Sequence, residues 1–287
     1  MNKLLEIERP ELLNCSPFFL ETIVKLNEKL KTPSRLPSRI VCASAPLEEH
    51  TLQKITTNGS LVQPAYGLSE AVNFSLGFGS NDKYSAHDIL KEFQFLPTGR
   101  PLAGNIVKIF NDENDEQPEN TVGNVSICGD IVFDGYLAND VQSSLFNSSD
   151  GSSFLQTGDT GFIRVIDGCP YVKITGRTKE TLNFRGTQYY FRDLEYILLP
   201  IINEEFYLTD AVVFDSGIAR DSCLCIAILK SGDLAKSSEQ KNAVAKKISK
   251  LLMNIPFTIW SVTSFPRTKS GKIQRLKRIS HGKKIFG

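Results

Sequence analysis

The sequence predicts a mixed class, α/β followed by α+β. Three observations carry that prediction: a strand–helix–strand run between Arg39 and Gln63, a series of short strands broken by turns after Gly99, and a return to mixed helices and strands from about Arg177. From Pro17 to Lys31, Phe19, Leu20, Ile23, Leu26 and Leu30 fall at helical spacing. Arg39 to Ala43 reads as a short buried strand, followed by a helix from Pro46 to about Thr57. Pro46 suits a first helical turn, and Glu48 and Glu49 suit its positive end. Ser60 to Gln63 is the next strand and runs into Tyr66-Gly67. This order implies a partial parallel α/β layer over about residues 1–85. Beyond it, Asn105 to Phe110, Val122 to Ile127, Ile131 to Phe133, Gly161 to Val165 and Tyr171 to Ile174 read as strands. They are separated by turn-rich stretches such as Asn111 to Asn120 and Asn147 to Ser153, and Asp167-Gly168 is a hairpin signal. A small antiparallel, β-barrel-like subdomain is expected over about 86–175. Phe191 to Leu199 is helical, Asp210 to Phe214 and Cys223 to Leu229 are strands, Leu234 to Met253 is an amphipathic helix, and Thr258 to Val262 is a strand. A small α+β domain over 181–287 follows.

Composition narrows the classes. Lys plus Arg number 33 and Asp plus Glu 32, a net charge of +1, so no broad field points to bulk nucleic-acid binding. The basic run Lys269 to Lys284 reads as a solvated helix face. The longest apolar run, Cys223 to Leu229, is too short to span a bilayer. Glu6 and Glu8 interrupt any leader core after Leu5, so a cytoplasmic location is expected. The six cysteines (Cys15, Cys42, Cys128, Cys169, Cys223, Cys225) read as reduced thiols, most of them in or beside strands. Cys223 and Cys225 share a strand face, and the scattered His50, His87 and His281 argue against a zinc site.

Four segments carry chemistry: Tyr66-Gly67-Leu68-Ser69-Glu70, Thr157-Gly158-Asp159, Gly176-Arg177-Thr178-Lys179-Glu180 continuing to Arg185-Gly186, and Pro266-Arg267-Thr268-Lys269-Ser270-Gly271-Lys272. Each has a bland reading. A Gly-Asp pair is a turn, Glu70 a helix-start carboxylate, Tyr66 a core residue and Gly186 a tight turn. Ser270-Gly271-Lys272 looks like the end of a phosphate loop, but Pro266 and Ile273 break the required spacing. Taken in order, with Ala43-Ser44-Ala45-Pro46-Leu47 and the segment Gly129 to Leu137, which contains Gly135-Tyr136, the set resembles the adenylate-forming superfamily. That superfamily holds acyl-CoA synthetases, fatty-acyl-AMP ligases, luciferases and peptide-synthetase adenylation domains.

The resemblance implies a set of roles. Ala45 and Pro46 would lie on the adenine side, with Gly67 in the same nucleotide-binding segment as Tyr66. The flat ring of Tyr66 would stack on the base. Ser69 would offer a hydroxyl to the α-phosphate and Glu70 an oxygen ligand to Mg²⁺. Asp159 would accept from both ribose hydroxyls, and Arg177 would add a forked donor. Lys272 would neutralise charge developing between carboxylate and α-phosphate, and so be the catalytic lysine. Lys179, within 176–180, would be the hinge on which the small mobile C-terminal domain turns. Gly186 would leave room for a pantetheine arm. The implied cofactors are ATP or AMP and Mg²⁺. The implied partners are a carboxylic acid and, as thiol acceptor, CoA or an acyl or peptidyl carrier protein.

The run from Gly176 to Tyr190 leans toward fatty-acyl-AMP ligases and other carrier-loading enzymes. One departure is mild: Ser69 stands where Thr is commoner. The other is large: no Ser/Thr/Gly-rich loop ending in Lys precedes Tyr66 to hold the β- and γ-phosphates. Residues 1–175 are therefore expected to be the C-terminal part of a truncated large domain. The chain is expected to make no adenylate unless a complementing N-terminal half is supplied. A non-catalytic remnant or interaction module of the same fold, or part of an acyl-CoA synthetase, is the alternative.

Overall fold

A computed structural model describes residues 8–29, 36–79, 81–136, 145–185, 187–206, 211–215, 224–229, 238–266, 274 and 283–286. The chain divides into two compact units, 1–175 and 176–287. The fold is mixed α/β.

The first unit opens with a parallel sheet of β1 (Leu12–Cys15), β2 (Arg39–Cys42) and β3 (Leu61–Pro64), in that order. Helices α1 (Pro17–Lys29) and α2 (Glu49–Thr57) make the two crossovers. Leu20 and Val24 of α1, Leu52 and Ile55 of α2, Ile40 and Val62 of the strands, and Leu90 of α3 (Ala86–Phe93) share one buried cluster. Leu52 is fully buried, so Leu52→Ala should cost about 2–5 kcal/mol. The helix expected from Pro46 begins instead at Glu49, with Pro46 exposed outside it. Leu47 just before the cap and Leu52 in the first full turn both enter that cluster, a hydrophobic staple that sets the start. Helix α3 starts at a capping box. Ser85 Oγ accepts from the Asp88 amide, and the Asp88 carboxylate accepts from the Ser85 amide.

Two antiparallel sheets follow. β4 (Tyr66–Leu68), β5 (Ala71–Gly77) and β6 (Arg100–Pro101) form one. β7 (Asn105–Phe110), β8 (Gly123–Gly129), β9 (Leu145–Asn147), β10 (Ser153–Ile166) and β11 (Cys169–Arg177) form the other, ordered β11-β10-β8-β7 with β9 on β10. Leu76, Val107, Ile109, Val125, Ile127 and Val172 make their shared core. The strand expected at Ile131 to Phe133 is a single bridge, Val132 to Ala71. The strand expected at Gly161 to Val165 is the second half of the longer β10, where a Cβ on Gly161 would collide with the Lys173 carbonyl of β11. Asp167 and Gly168 take left-handed φ of 49° and 75°, as a two-residue hairpin turn requires.

In the second unit β12 (Thr181–Phe184) and β13 (Thr187–Tyr190) form a hairpin that leads into α4 (Phe191–Phe206). A four-stranded sheet orders β14 (Ala211–Asp215), β15 (Leu224–Leu229), β16 (Phe257–Val262) and β17 (Lys283–Phe286). β15 and β16 are parallel, and α5 (Ser238–Leu251) lies between them in sequence. Helix α4 runs through Pro200, although a proline removes one helical hydrogen bond and crowds the preceding turn at a cost of about 3 kcal/mol. Beyond it Ile202 is fully buried in the core with Leu198, Ile226 and Ile248, and that burial opposes the break. Lys283 and Lys284, expected on a helix face, are strand residues paired with β16.

Candidate functional site

The parallel strands of the first sheet all end on one side, and two candidate segments leave from there. The turn 43–47 follows β2, and Tyr66 follows β3. Backbone bonds tie them together: the Ala65 amide donates to the Cys42 carbonyl at 2.9 Å, and the Ala43 amide to the Cys15 carbonyl at 3.1 Å. The carboxyl ends of parallel strands are where open α/β sheets bind ligands. Ala45 and Pro46 are exposed in this turn, which Ser44 enters at φ 76°.

Tyr66 opens β4. Leu68 pairs with Ala71, which leaves Ser69 and Glu70 as a two-residue turn, with Ser69 exposed and Glu70 half-buried. Gly67 lies at the irregularity in register between Tyr66 and Leu68. Asp159 comes from the opposite end of the unit. Its strand, β10, bulges against β8 between Gln156 and Thr160. At the bulge Gly158 takes φ 73°, and a Cβ there would touch nothing, so the backbone angle and not space calls for glycine. Thr157 Oγ1 locks the bulge, donating to the Val125 carbonyl at 2.8 Å and accepting from the Asp159 amide at 3.1 Å. A bulge re-aims the side chain it carries. Here Asp159, a residue only 6% exposed, accepts a hydrogen bond of 2.6 Å on its carboxylate from the Tyr66 hydroxyl. Burying a carboxylate is costly unless it is paired. The structure thus joins two candidate residues that stand 93 positions apart.

A second phenol–carboxylate pair sits at the β4–β5 turn. The segment Ile131 to Tyr136 is stitched along it. The Val72 amide donates to the Ile131 carbonyl and the Phe133 amide to the Glu70 carbonyl, each at 2.9 Å. The Tyr136 hydroxyl then donates to Glu70 Oε1 at 2.8 Å, and its ring meets Phe133 edge-on at 4.8 Å. The Glu70 carboxylate that accepts this proton raises the Tyr136 phenol above its ordinary pKa. Sequence reasoning gave Tyr136 no role. The available signal was its place at the end of the Gly129 to Leu137 segment, which says nothing of what the ring reaches.

The remaining candidates, Arg177, Lys179, Gly186 and Lys272, belong to the second unit. Arg177 is the exposed last residue of β11 and Lys179 is exposed in the turn after it, closed by the Glu180 amide donating to the Arg177 carbonyl at 2.9 Å. Lys272 and Gly186 lie outside the described residues. Among the described residues no group of three or more His, Cys, Asp or Glu is set to hold a metal ion, and no helix is long and apolar enough to cross a membrane. A lone carboxylate such as Glu70 nevertheless fits Mg²⁺, which takes one or two carboxylates together with phosphate oxygens and water.

Residues 1–137 match the family of AMP-binding enzymes. The oxalate–CoA ligase of Saccharomyces cerevisiae is 29% identical over 281 residues, covering 91% of this chain and 46% of the relative. A nonribosomal peptide synthetase of Ascocoryne sarcoides is 25% identical over 233 residues, covering 78% of this chain and 24% of the relative. The o-succinylbenzoate CoA synthetase of Bacillus subtilis, solved with its acyl-adenylate intermediate, superposes with a TM-score of 0.72 at 19% identity, over 98% of this chain and 54% of that one. The chain therefore spans about half the length of the curated CoA ligases it matches.

Proposed function

Because the chain belongs to the adenylate-forming superfamily of AMP-binding enzymes, we propose that it is the C-terminal part of an ATP-dependent, AMP-forming acid–thiol ligase. Such an enzyme activates a carboxylic acid, of fatty or other acyl type, as its acyl-AMP and passes the acyl group to the thiol of CoA or a carrier protein. The observation that carries the reading is the Tyr66–Asp159 hydrogen bond. It fixes a flat aromatic face and a buried carboxylate to each other at the carboxyl end of the sheet. The face stacks on adenine, and the carboxylate accepts from the ribose hydroxyls. The Ser69 hydroxyl bonds an α-phosphate oxygen, and Glu70, oriented by Tyr136, holds Mg²⁺. The metal supplies charge neutralisation at the phosphate oxygens. Ala45 and Pro46 line the adenine side, and Gly67 carries the chain between Tyr66 and Ser69.

By the same resemblance Lys272 has the catalytic lysine's role and Arg177 that of a forked donor to ribose or phosphate. Lys179 is the hinge, a reading supported by the division of the chain between Thr175 and Gly176, and Gly186 passes the pantetheine arm. The residues named here serve the base, the ribose and the α-phosphate, so this chain binds AMP or acyl-AMP. Calorimetric titration of AMP and of a non-hydrolysable acyl-AMP mimic tests this. Binding that weakens in Asp159→Asn supports the reading. No heat from a folded, monodisperse sample turns it over to a non-catalytic remnant of the same fold.

A further inference from the structure

The parallel pairing of β1 with β2 sets Cys15 directly opposite Cys42. Paired residues on neighbouring strands point to the same face of a sheet, and their backbones stand about 4.8 Å apart. That spacing falls within the Cα separations a disulfide bridges. Both side chains turn toward the α-helical layer. Cys42 is 1% exposed within the cluster of Leu20, Ile40 and Leu52, and Cys15 packs against the same cluster while half-exposed. The two thiols also differ in character. The Cys42 thiol donates a hydrogen bond to the Cys15 sulfur, which lowers the Cys15 pKa and, reinforced by burial, raises that of Cys42. One sulfur is therefore reachable and the more readily ionised, and the other is a buried neutral thiol in contact with it. That is the division of labour between an attacking and a resolving cysteine.

We propose that Cys15 and Cys42 form an oxidisable dithiol, a modification site at which a hydroperoxide converts the pair into a disulfide joining β1 to β2. The Cys15 thiolate attacks a peroxide oxygen and the O–O bond breaks. The departing hydroxide takes up the proton Cys15 had released and leaves as water. Cys15 is then a sulfenic acid. The Cys42 sulfur attacks it, the S–O bond breaks, the S–S bond forms, and the Cys42 proton leaves with the hydroxyl as a second water. The two sulfurs together lose two electrons, and the two peroxide oxygens gain them. A bridge in this register pins the outer strand to the residue that precedes the 43–47 turn. It is reversed by a dithiol reductant, which takes up the bridge by thiol–disulfide exchange.

The test uses the whole chain, reduced, exposed to hydrogen peroxide, alkylated with N-ethylmaleimide and digested without reductant. The exposed Met253 becomes a sulfoxide and shows that the oxidant acted. The expected result is a linked pair of peptides carrying Cys15 and Cys42, lighter by two hydrogens than their sum and absent after dithiothreitol. In Cys42→Ser the link is lost and dimedone traps a sulfenic acid on Cys15. The proposal is overturned if Met253 is oxidised while Cys15 and Cys42 are both recovered fully alkylated, or if either is recovered linked to a different cysteine.

Discussion

The candidate site contains two phenol–carboxylate pairs of nearly equal length and very different setting. Tyr66–Asp159 spans 2.6 Å and joins the first strand after the parallel sheet to a bulge in β10, with the carboxylate buried. Tyr136–Glu70 spans 2.8 Å at a turn, and the phenol is 42% exposed. A buried pair holds its geometry before any ligand arrives, because leaving either polar group unmatched in the interior is costly. An exposed pair exchanges with water at little cost. The base-and-ribose end of the proposed site is thus built into the fold, whereas the phosphate-and-metal end is set by contacts that ligands and ions can rearrange. A nucleoside monophosphate should accordingly be recognised mainly through its sugar and base.

Breaking the buried pair should give the largest effects. Asp159→Ala removes acceptors for two ribose hydroxyls, each charge-assisted bond being worth about 1.5–3 kcal/mol, so AMP affinity in calorimetry should fall about a hundredfold or more. Tyr66→Phe keeps the stacking face but takes the phenol from a buried carboxylate. Urea unfolding of the first unit should then show a loss of about 1–3 kcal/mol, with a smaller loss of AMP affinity than Asp159→Ala gives. At the exposed end, Glu70→Gln should abolish the part of AMP affinity that depends on Mg²⁺ and leave the metal-free affinity within about twofold. Tyr136→Phe should be smallest, weakening only the metal-linked increment with a smaller change in unfolding than Tyr66→Phe gives.

Tyr136 also sharpens the comparison through pH. Its pKa is raised because its protonated hydroxyl bonds Glu70. The stability this contributes is fully present below the ordinary phenol value, near pH 10, and is lost as pH rises through the raised value. Phenolate absorbance should show late-titrating tyrosines, since burial also raises Tyr171, and the part contributed by Tyr136 should vanish in both Tyr136→Phe and Glu70→Gln while that of Tyr171 remains.

Much of this was legible in the sequence where local chemistry decides. The α1 periodicity, the parallel strand–helix–strand order, the span of β7 and the Asp167-Gly168 turn all follow from spacing and turn residues. Tyr66, Glu70 and Asp159 were identifiable as residue types in sequence order. Three things were not, for physical reasons. Thr157-Gly158-Asp159 reads locally as a turn, and only pairing with β8 makes it a bulge inside a strand. Helix α4 continues past Pro200 because burial of Ile202, a tertiary effect, outweighs a local break. Tyr136 reaches Glu70 across 66 residues, and no periodicity encodes such a contact.

In the proposed function Tyr66 and Asp159 act as one nucleotide-binding unit. A double-mutant cycle in AMP affinity tests it most directly, using the unmodified chain, Tyr66→Phe, Asp159→Asn and the double variant in the same calorimeter. Strong non-additivity is expected, with Tyr66→Phe weakening binding only while Asp159 is present, because the lost hydroxyl acts through that carboxylate. Additive losses, or AMP binding that neither variant changes, would contradict it.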